Sequence, residues 1–330
     1  MRLEERAISE AAGTILVHNV VDADGRRTLK KGTRLAPEHL SRLSELGHFS
    51  VLVAALEDDD VLEDEAALTL AGALQTDGLR LTHVTGGRVN LVAELDGLLE
   101  VDAGRLLELN LLPGITLATL PHRSVLGPNQ STAQVATLKI IPYAVRRADL
   151  DRALALAHAR PGILEIRPFP PGSRAALLLT GEASAYEKLR ADFVPPIRTR
   201  LERLGATLVT VEAVPQESAA IREAAARLAA QVDLLIVAGQ TSIMDTEDTT
   251  LSALRQAGAQ VALHGAPVEP GNLLALAYFP DTPVLCAPGC ARGLSYNVVD
   301  MVLPRLLLGD RLERADIAAL GLGGLLVKTD

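Results

Sequence analysis

Tryptophan is absent from this sequence, and phenylalanine and tyrosine contribute four residues each, so aromatics make up 2% of the 330 residues. Binding of nucleic-acid bases by stacking uses aromatic faces, and this composition argues against it. The sizeable core that 48% hydrophobic residues allow must be built from Leu, Val, Ile and Ala. Positive charge is also scarce: 32 Lys and Arg stand against 41 Asp and Glu, a net charge of −9. A basic footprint for nucleic acid is therefore missing. A small anionic ligand stays open, because screening confines the acidic total to about 8 Å and local N–H groups decide what binds.

Cysteine is nearly absent. Cys286 and Cys290 are too few for a disulfide framework. No stretch reaches the roughly 18 uninterrupted apolar residues of a membrane-spanning helix. The opening "MRLEERAISEAAG" is charged and has no apolar signal-peptide region. The expectation is a cytoplasmic protein without membrane or nucleic-acid partners.

The length predicts two domains, or one with a large extension. Over 1–150 the pattern is β-rich α+β. "GTILVHNVV" (13–21), "FSVLVAAL" (49–56), "RVNLVAEL", "GLLEVD", "ITLATL" and "VATLKIIPYAV" read as strands. "APEHLSRLSELG" (36–47) has helical spacing, and "EDDDVLEDEAALTLAGAL" (57–74) opens with acids that suit a solvated helix start. Residues 151–171 read as a linker, with the prolines of "RPGILEIRPFPPG" inside it. From 172 to 310 strands alternate with helices: "RAALLLTG", "LERLGATLVTVEAV", "SAAIREAAARLAAQ", "VDLLIVAG", "TLSALRQAG", "AQVALHGAPV", "LLALAYF", "TPVLCAPG" and "LSYNVVDMVLPRLLLG". Such alternation predicts a doubly wound, mainly parallel α/β sheet. The tail, 311–330, carries no signal; its "GLGGLL" has no strand–turn–helix context and is not a dinucleotide fingerprint.

In open parallel sheets ligands sit beyond the carboxyl ends of the strands. Three polar segments follow strands here: "TGEASAY" (180–186), "GQTSIMDTEDTT" (239–250) and "APGCARG" (287–293). Each joins glycine, which permits close backbone approach, to hydroxyls or free N–H groups at a helix start, the usual means of holding phosphate. The middle segment adds Asp245, Glu247 and Asp248. Beside a phosphate these need a cation, and Mg²⁺ held by one or two carboxylates plus phosphate is the common arrangement. The competing reading is a helix cap, with Asp248 or Thr249 as N-cap.

Taken together, the segments resemble the molybdopterin-binding domain of molybdenum-cofactor biosynthesis enzymes. The resemblance runs over about 172–309 and is carried by four motifs in order. Thr180 and Gly181 follow the first strand. Gly239, Gln240, Thr241, Ser242, Asp245, Asp248 and Thr250 stand where the family has a glycine-rich loop, an Asp and an Asp-x-Thr. Pro270, Gly271 and Asn272 stand for a Lys-Pro-Gly-Lys-Pro-type turn, and Pro288, Gly289, Cys290 and Ala291 for a Pro-Gly-Asn-Pro turn. Gln240 replaces a second glycine, Glu269 and Asn272 replace two lysines, and "PQES" (215–218) replaces paired acids. "KIIPYAV" and "GRVNL" extend the likeness to the N-terminal part of fusions with a cytidylyltransferase-like domain. "KKGTRLAPEHLSRLSELGHFSVLVA" resembles a strand–helix–strand piece seen beside this domain in molybdenum-inserting enzymes, and the expectation is that it supplies one wall of an inter-domain cleft.

The resemblance implies molybdopterin as ligand. It implies Mg²⁺ at Asp245 and Asp248, ATP or CTP as nucleotide, and phosphate cradled by N–H groups of Gly239–Ser242 and Gly289–Ala291. It also implies a homo-oligomer and a separate nucleotidyltransferase or molybdoenzyme partner. Two activities follow: nucleotidyl or molybdenum transfer, and a non-catalytic carrier that delivers the pterin, which the missing lysines and acids favour. Among single residues, Cys290 sits at a helix start, which lowers a thiol pKa, yet a backbone role with an inert side chain is the simpler reading. Cys286 alternates into the core. His18, His83 and His264 have no second ligand at zinc spacing.

Overall fold

The computed structural model describes residues 1–127 and 133–326. The chain divides into two compact units: Met1–Leu95 with Leu99–Ile166, and Asp96–Leu98 with the chain from Arg167 onward.

The first unit is antiparallel and β-rich. One sheet orders Arg2–Ala7, Ser50–Ala55 and Ile15–Leu16, with Arg2 opposite Ala55 and Ile15 opposite Ala54. Its core gathers Leu16, Leu35, Leu43, Val51 and Val53. A second sheet orders Ile115–Thr119, Gln134–Ile140, Arg88–Ala93 and Leu79–Leu81, and shares a core with the helices Glu63–Leu74 and Arg147–His158. "GTILVHNVV" is not one strand. It breaks into Ile15–Leu16 and Val20–Val21, because Asn19 turns to accept the Lys31 N–H (2.8 Å) and Val20–Val21 pairs with Arg27–Leu29. The helix read from residue 57 begins only at Glu63, after a short strand Asp60–Leu62; Glu63, Asp64 and Glu65 then occupy its first turn, where the dipole favours them. Residues 151–171 hold most of the helix Arg147–His158 and the strand Leu164–Pro168.

The second unit is a six-stranded α/β sheet. Its elements are β1 (Arg174–Thr180), α1 (Tyr186–Arg203), β2 (Thr207–Val214), α2 (Ser218–Ala229), β3 (Leu234–Gly239), α3 (Thr249–Gln256), β4 (Gln260–His264), β5 (Ala275–Tyr278), β6 (Pro283–Cys286), α4 (Val298–Leu307) and α5 (Arg314–Ala318). The strand order is β2-β1-β3-β6-β5-β4. The pairs β2–β1, β1–β3 and β3–β6 are parallel, while β5 runs against both its neighbours. Ala176 and Leu178 of β1 and Leu235 and Val237 of β3 pack with Ile221, Leu228, Leu251 and Leu254 of α2 and α3. The alternate residues Leu177, Leu179 and Ile236 are equally buried and turn to the opposite face, as strand alternation requires. There α1 covers β1 and β2 through Leu189, Phe193, Ile197 and Leu201, one residue per turn. Burial of that stripe keeps α1 helical across Pro195 and Pro196, which would stop an isolated helix. Among the described residues no helix is long and apolar enough to cross a membrane.

Candidate functional site

Because β1, β2, β3 and β6 run one way, their carboxyl ends share one edge of the sheet. Antiparallel β5 starts at that edge and β4 ends there, so the 265–274 loop joins it. All four motif segments singled out in the sequence are thus brought together: 180–186, 239–250, 270–272 and 288–291.

Thr180 and Gly239 are register partners at the ends of β1 and β3. A Cβ on Gly239 would lie 2.6 Å from Thr241 O and 3.0 Å from Thr180 Oγ1, so only glycine fits. Thr180 is 1% exposed, and its hydroxyl oxygen has no hydrogen-bond partner. A buried hydroxyl left unpaired is unusual and expensive. The neighbouring backbone is committed: Gln240 N–H donates to Thr180 O (2.8 Å) and Gly181 N–H to Val214 O (3.2 Å). Gln240 Oε1 accepts the Glu182 N–H at 2.9 Å, and Gln216 Nε2 donates to Thr241 Oγ1 at 3.2 Å. Ser242 Oγ lies 3.7 Å from where a Cβ on Gly289 would stand, so the β3 and β6 loops meet.

The cradle differs from the expected one. The N–H groups of Gln240 and Ala291 do not face a ligand, since the first extends the β1 ladder and the second closes the turn onto Pro288 O (3.0 Å). Cys290 has a raised thiol pKa. Burial is the largest cause; its own N–H and Arg200 pull the other way, and Glu269 and Asp300 push it further up. The lowering expected of a helix start is overridden. Cys286 is fully buried and pushed up to about 12, by burial first and then by Asp248.

Asp248 is the N-cap of α3, its Oδ1 accepting the Thr250 N–H at 2.8 Å. Asp245 Oδ1 accepts the Glu247 N–H at 2.7 Å, an Asx turn inside the loop. His264 Nε2 lies 3.0 Å from Ile243 O and pins the same loop. Among the described residues no group of three His, Cys, Asp or Glu could hold a metal ion. One oxygen of each Asp is engaged by a backbone N–H.

The loop bearing Pro270, Gly271 and Asn272 is held by Asn272 O, which accepts the Ala266 N–H (2.9 Å). Gly271 has φ +133°, and a Cβ there would lie 2.3 Å from Val298 Cγ1; glycine lets this loop lie on the start of α4. The tail takes part as well, because Glu269 N–H donates to Gly324 O (2.8 Å) and Leu326 N–H to Glu269 O (2.8 Å).

Four residues the motif reading passed over complete the edge. Asn297 caps α4 by accepting the Val299 N–H (2.9 Å), and its amide donates to Ser295 O and Cys290 O. Asp300 closes the capping box on the Asn297 N–H (3.0 Å) and pairs with buried Arg200. Arg292 lays its guanidinium over the Phe193 ring, 4.9 Å from the centroid, with Nη2 3.4 Å from Gly239 O and Gln240 O. The Asn-x-x-Asp spacing before an apolar run is a capping signature readable in sequence. Nothing local announces the partners of Arg200 or Arg292.

Residues 176–307 match the family described as a probable molybdopterin binding domain. Among curated proteins there is no match. Among solved structures, a molybdenum cofactor biosynthesis protein from Pyrococcus furiosus is 12% identical over 96% of this chain and 65% of that chain, with a TM-score of 0.26. A molybdopterin biosynthesis MoeA protein from Pyrococcus horikosii is 12% identical over 93% of this chain and 75% of that one, with a TM-score of 0.32. A molybdopterin biosynthesis protein from Mycobacterium abscessus is 13% identical over 42% of this chain and 94% of that one, with a TM-score of 0.31. The chain thus spans just under two thirds of the Pyrococcus furiosus protein.

Proposed function

We propose, with a domain of the molybdopterin-binding family over residues 176–307 as premise, that this chain binds molybdopterin or a closely similar pterin phosphate at the carboxyl edge of the six-stranded sheet, and acts as a binding module in molybdenum-cofactor biosynthesis. The observation that carries this reading is the Thr180 hydroxyl: buried, unpaired, and beside Gly239 at the meeting of the β1 and β3 loops. We read this unpaired group as one that a ligand completes. Arg292 supplies positive charge at the same loop. Nucleotidyl or molybdenum transfer would need a cation between Asp245, Asp248 and a phosphate. The holding reading needs no cation, and each carboxylate already serves a backbone N–H with one oxygen.

Thr180→Val is the test, because valine keeps the shape and removes only the hydroxyl. Calorimetric titration with molybdopterin should show binding without nucleotide or Mg²⁺, and at least about fivefold weaker binding by the variant, the size expected for one lost hydrogen bond. The melting temperature should hold or rise, since no internal partner is lost. Unchanged affinity in the variant would remove the support for this site.

A further inference from the structure

The Gln240 side chain lies over Gly181. Gly181 has no side chain. Where its Cβ would stand, the nearest atoms are Gln240 Oε1 at 2.9 Å, Gln240 Cβ at 3.0 Å and Leu189 Cδ1 at 3.1 Å. The Gln240 amide therefore lies in the hollow over Gly181 and takes the Glu182 N–H at 2.9 Å. Its backbone is fixed by its own N–H to Thr180 O (2.8 Å). Both Gln240 and Glu182 are exposed, and Arg292 Nη2 lies 3.4 Å from the Gln240 carbonyl.

We infer that Gln240 is a displaceable stopper that makes this edge selective for ligands carrying an oxyanion, an inference that rests on the proposed pterin-phosphate site. An amide oxygen is a neutral acceptor. A phosphate oxygen on the same N–H makes a charge-assisted hydrogen bond about twice as strong. The exposed bond that it replaces exchanges readily with water and is worth about tenfold or less in affinity. A phosphorylated ligand can therefore evict the amide, whereas a neutral analogue lacks the oxyanion to do so. Gln240 is a specificity-determining residue in this scheme, with no part in any bond change.

The test compares wild type, Gln240→Ala and Gln240→Glu by calorimetric titration with molybdopterin and by thermal melting. Alanine removes the stopper and keeps the backbone. It should bind about five- to tenfold tighter, with a melting temperature equal to or slightly below wild type. Glutamate keeps the acceptor for the Glu182 N–H but adds a negative charge, so it should bind at least tenfold more weakly at an unchanged melting temperature. A residue that merely staples the two loops predicts the opposite for alanine, a loss of affinity together with stability. Equal or weaker binding by Gln240→Ala, with clear binding by wild type, overturns the stopper and leaves the pterin site standing. No binding by wild type overturns both.

Discussion

Arg200 and Asp300, a hundred residues apart, form a two-point ion pair, Nε to Oδ1 at 2.9 Å and Nη2 to Oδ2 at 3.2 Å. The guanidinium is 3% exposed as a residue and also donates to Ala291 O (3.3 Å) and Ser295 O (3.2 Å). One side chain of α1 thus fixes the turn after β6 and, through Asp300, the cap of α4. Arg200→Met should cost about 3 to 5 kcal/mol, because Asp300 and two carbonyls lose their donor inside the fold. Urea denaturation measures this. A cost below about 1 kcal/mol would mean that the turn holds itself.

That pair also marks where sequence reasoning ends. The strands from β1 to β6 could be read because each is an apolar run bounded by glycine or a polar turn, and the alternation of β1 to β4 with helices implied a parallel arrangement; β5, with no helix on either side, runs antiparallel. The motif segments then had to fall on one edge. Helix α1 was legible only as its last turn, since Pro195 and Pro196 argue locally for a break, and the burial that overrides them belongs to the tertiary structure. The same holds for Gln240. Its departure from glycine was visible, but not that its amide would fold over Gly181, which depends on the alignment of β1 with β3. The tail carried no pattern because Gly324 acts through its backbone. A Cβ there would lie 2.3 Å from Pro267 O.

A half-buried charge cluster predicts acid sensitivity. Asp310 accepts from Arg167 Nη2 at 2.7 Å and from Arg305 Nε at 3.1 Å. Burial raises its pKa, but the hydrogen bonds and charges of Arg167 and Arg305 outweigh burial and hold it below the ordinary 3.8. A carboxylate with a depressed folded pKa contributes stability that is complete above the unfolded value. That contribution is lost as pH falls from there through the folded value. Asp310→Asn should therefore be less stable than wild type near neutral pH. The gap in melting temperature should narrow only below about pH 4, in the window set by that depressed value. A gap that stays constant down to about pH 2 would contradict the assignment.

The acidic loop "GQTSIMDTEDTT" gives the sharpest contrast between a cap and a cation ligand. Asp248 accepts the Thr250 N–H at 2.8 Å and so terminates α3, while Asp245 closes its own turn on the Glu247 N–H. Asparagine caps a helix about as well as aspartate, and alanine does not cap at all. Asp248→Asn should then leave both the melting temperature and molybdopterin affinity close to wild type, with or without Mg²⁺. Asp248→Ala should cost about 1 kcal/mol of stability. A carboxylate that held Mg²⁺ against a phosphate would behave differently. Its neutralisation would spare the fold, since the cap survives, and would abolish whatever part of the affinity depends on added Mg²⁺. Titrating wild type and Asp248→Asn with molybdopterin in the presence of Mg²⁺ and in EDTA separates the two. A Mg²⁺-dependent gain in affinity for wild type that vanishes in Asp248→Asn would make Asp248 a metal ligand and return the transfer reaction to this site.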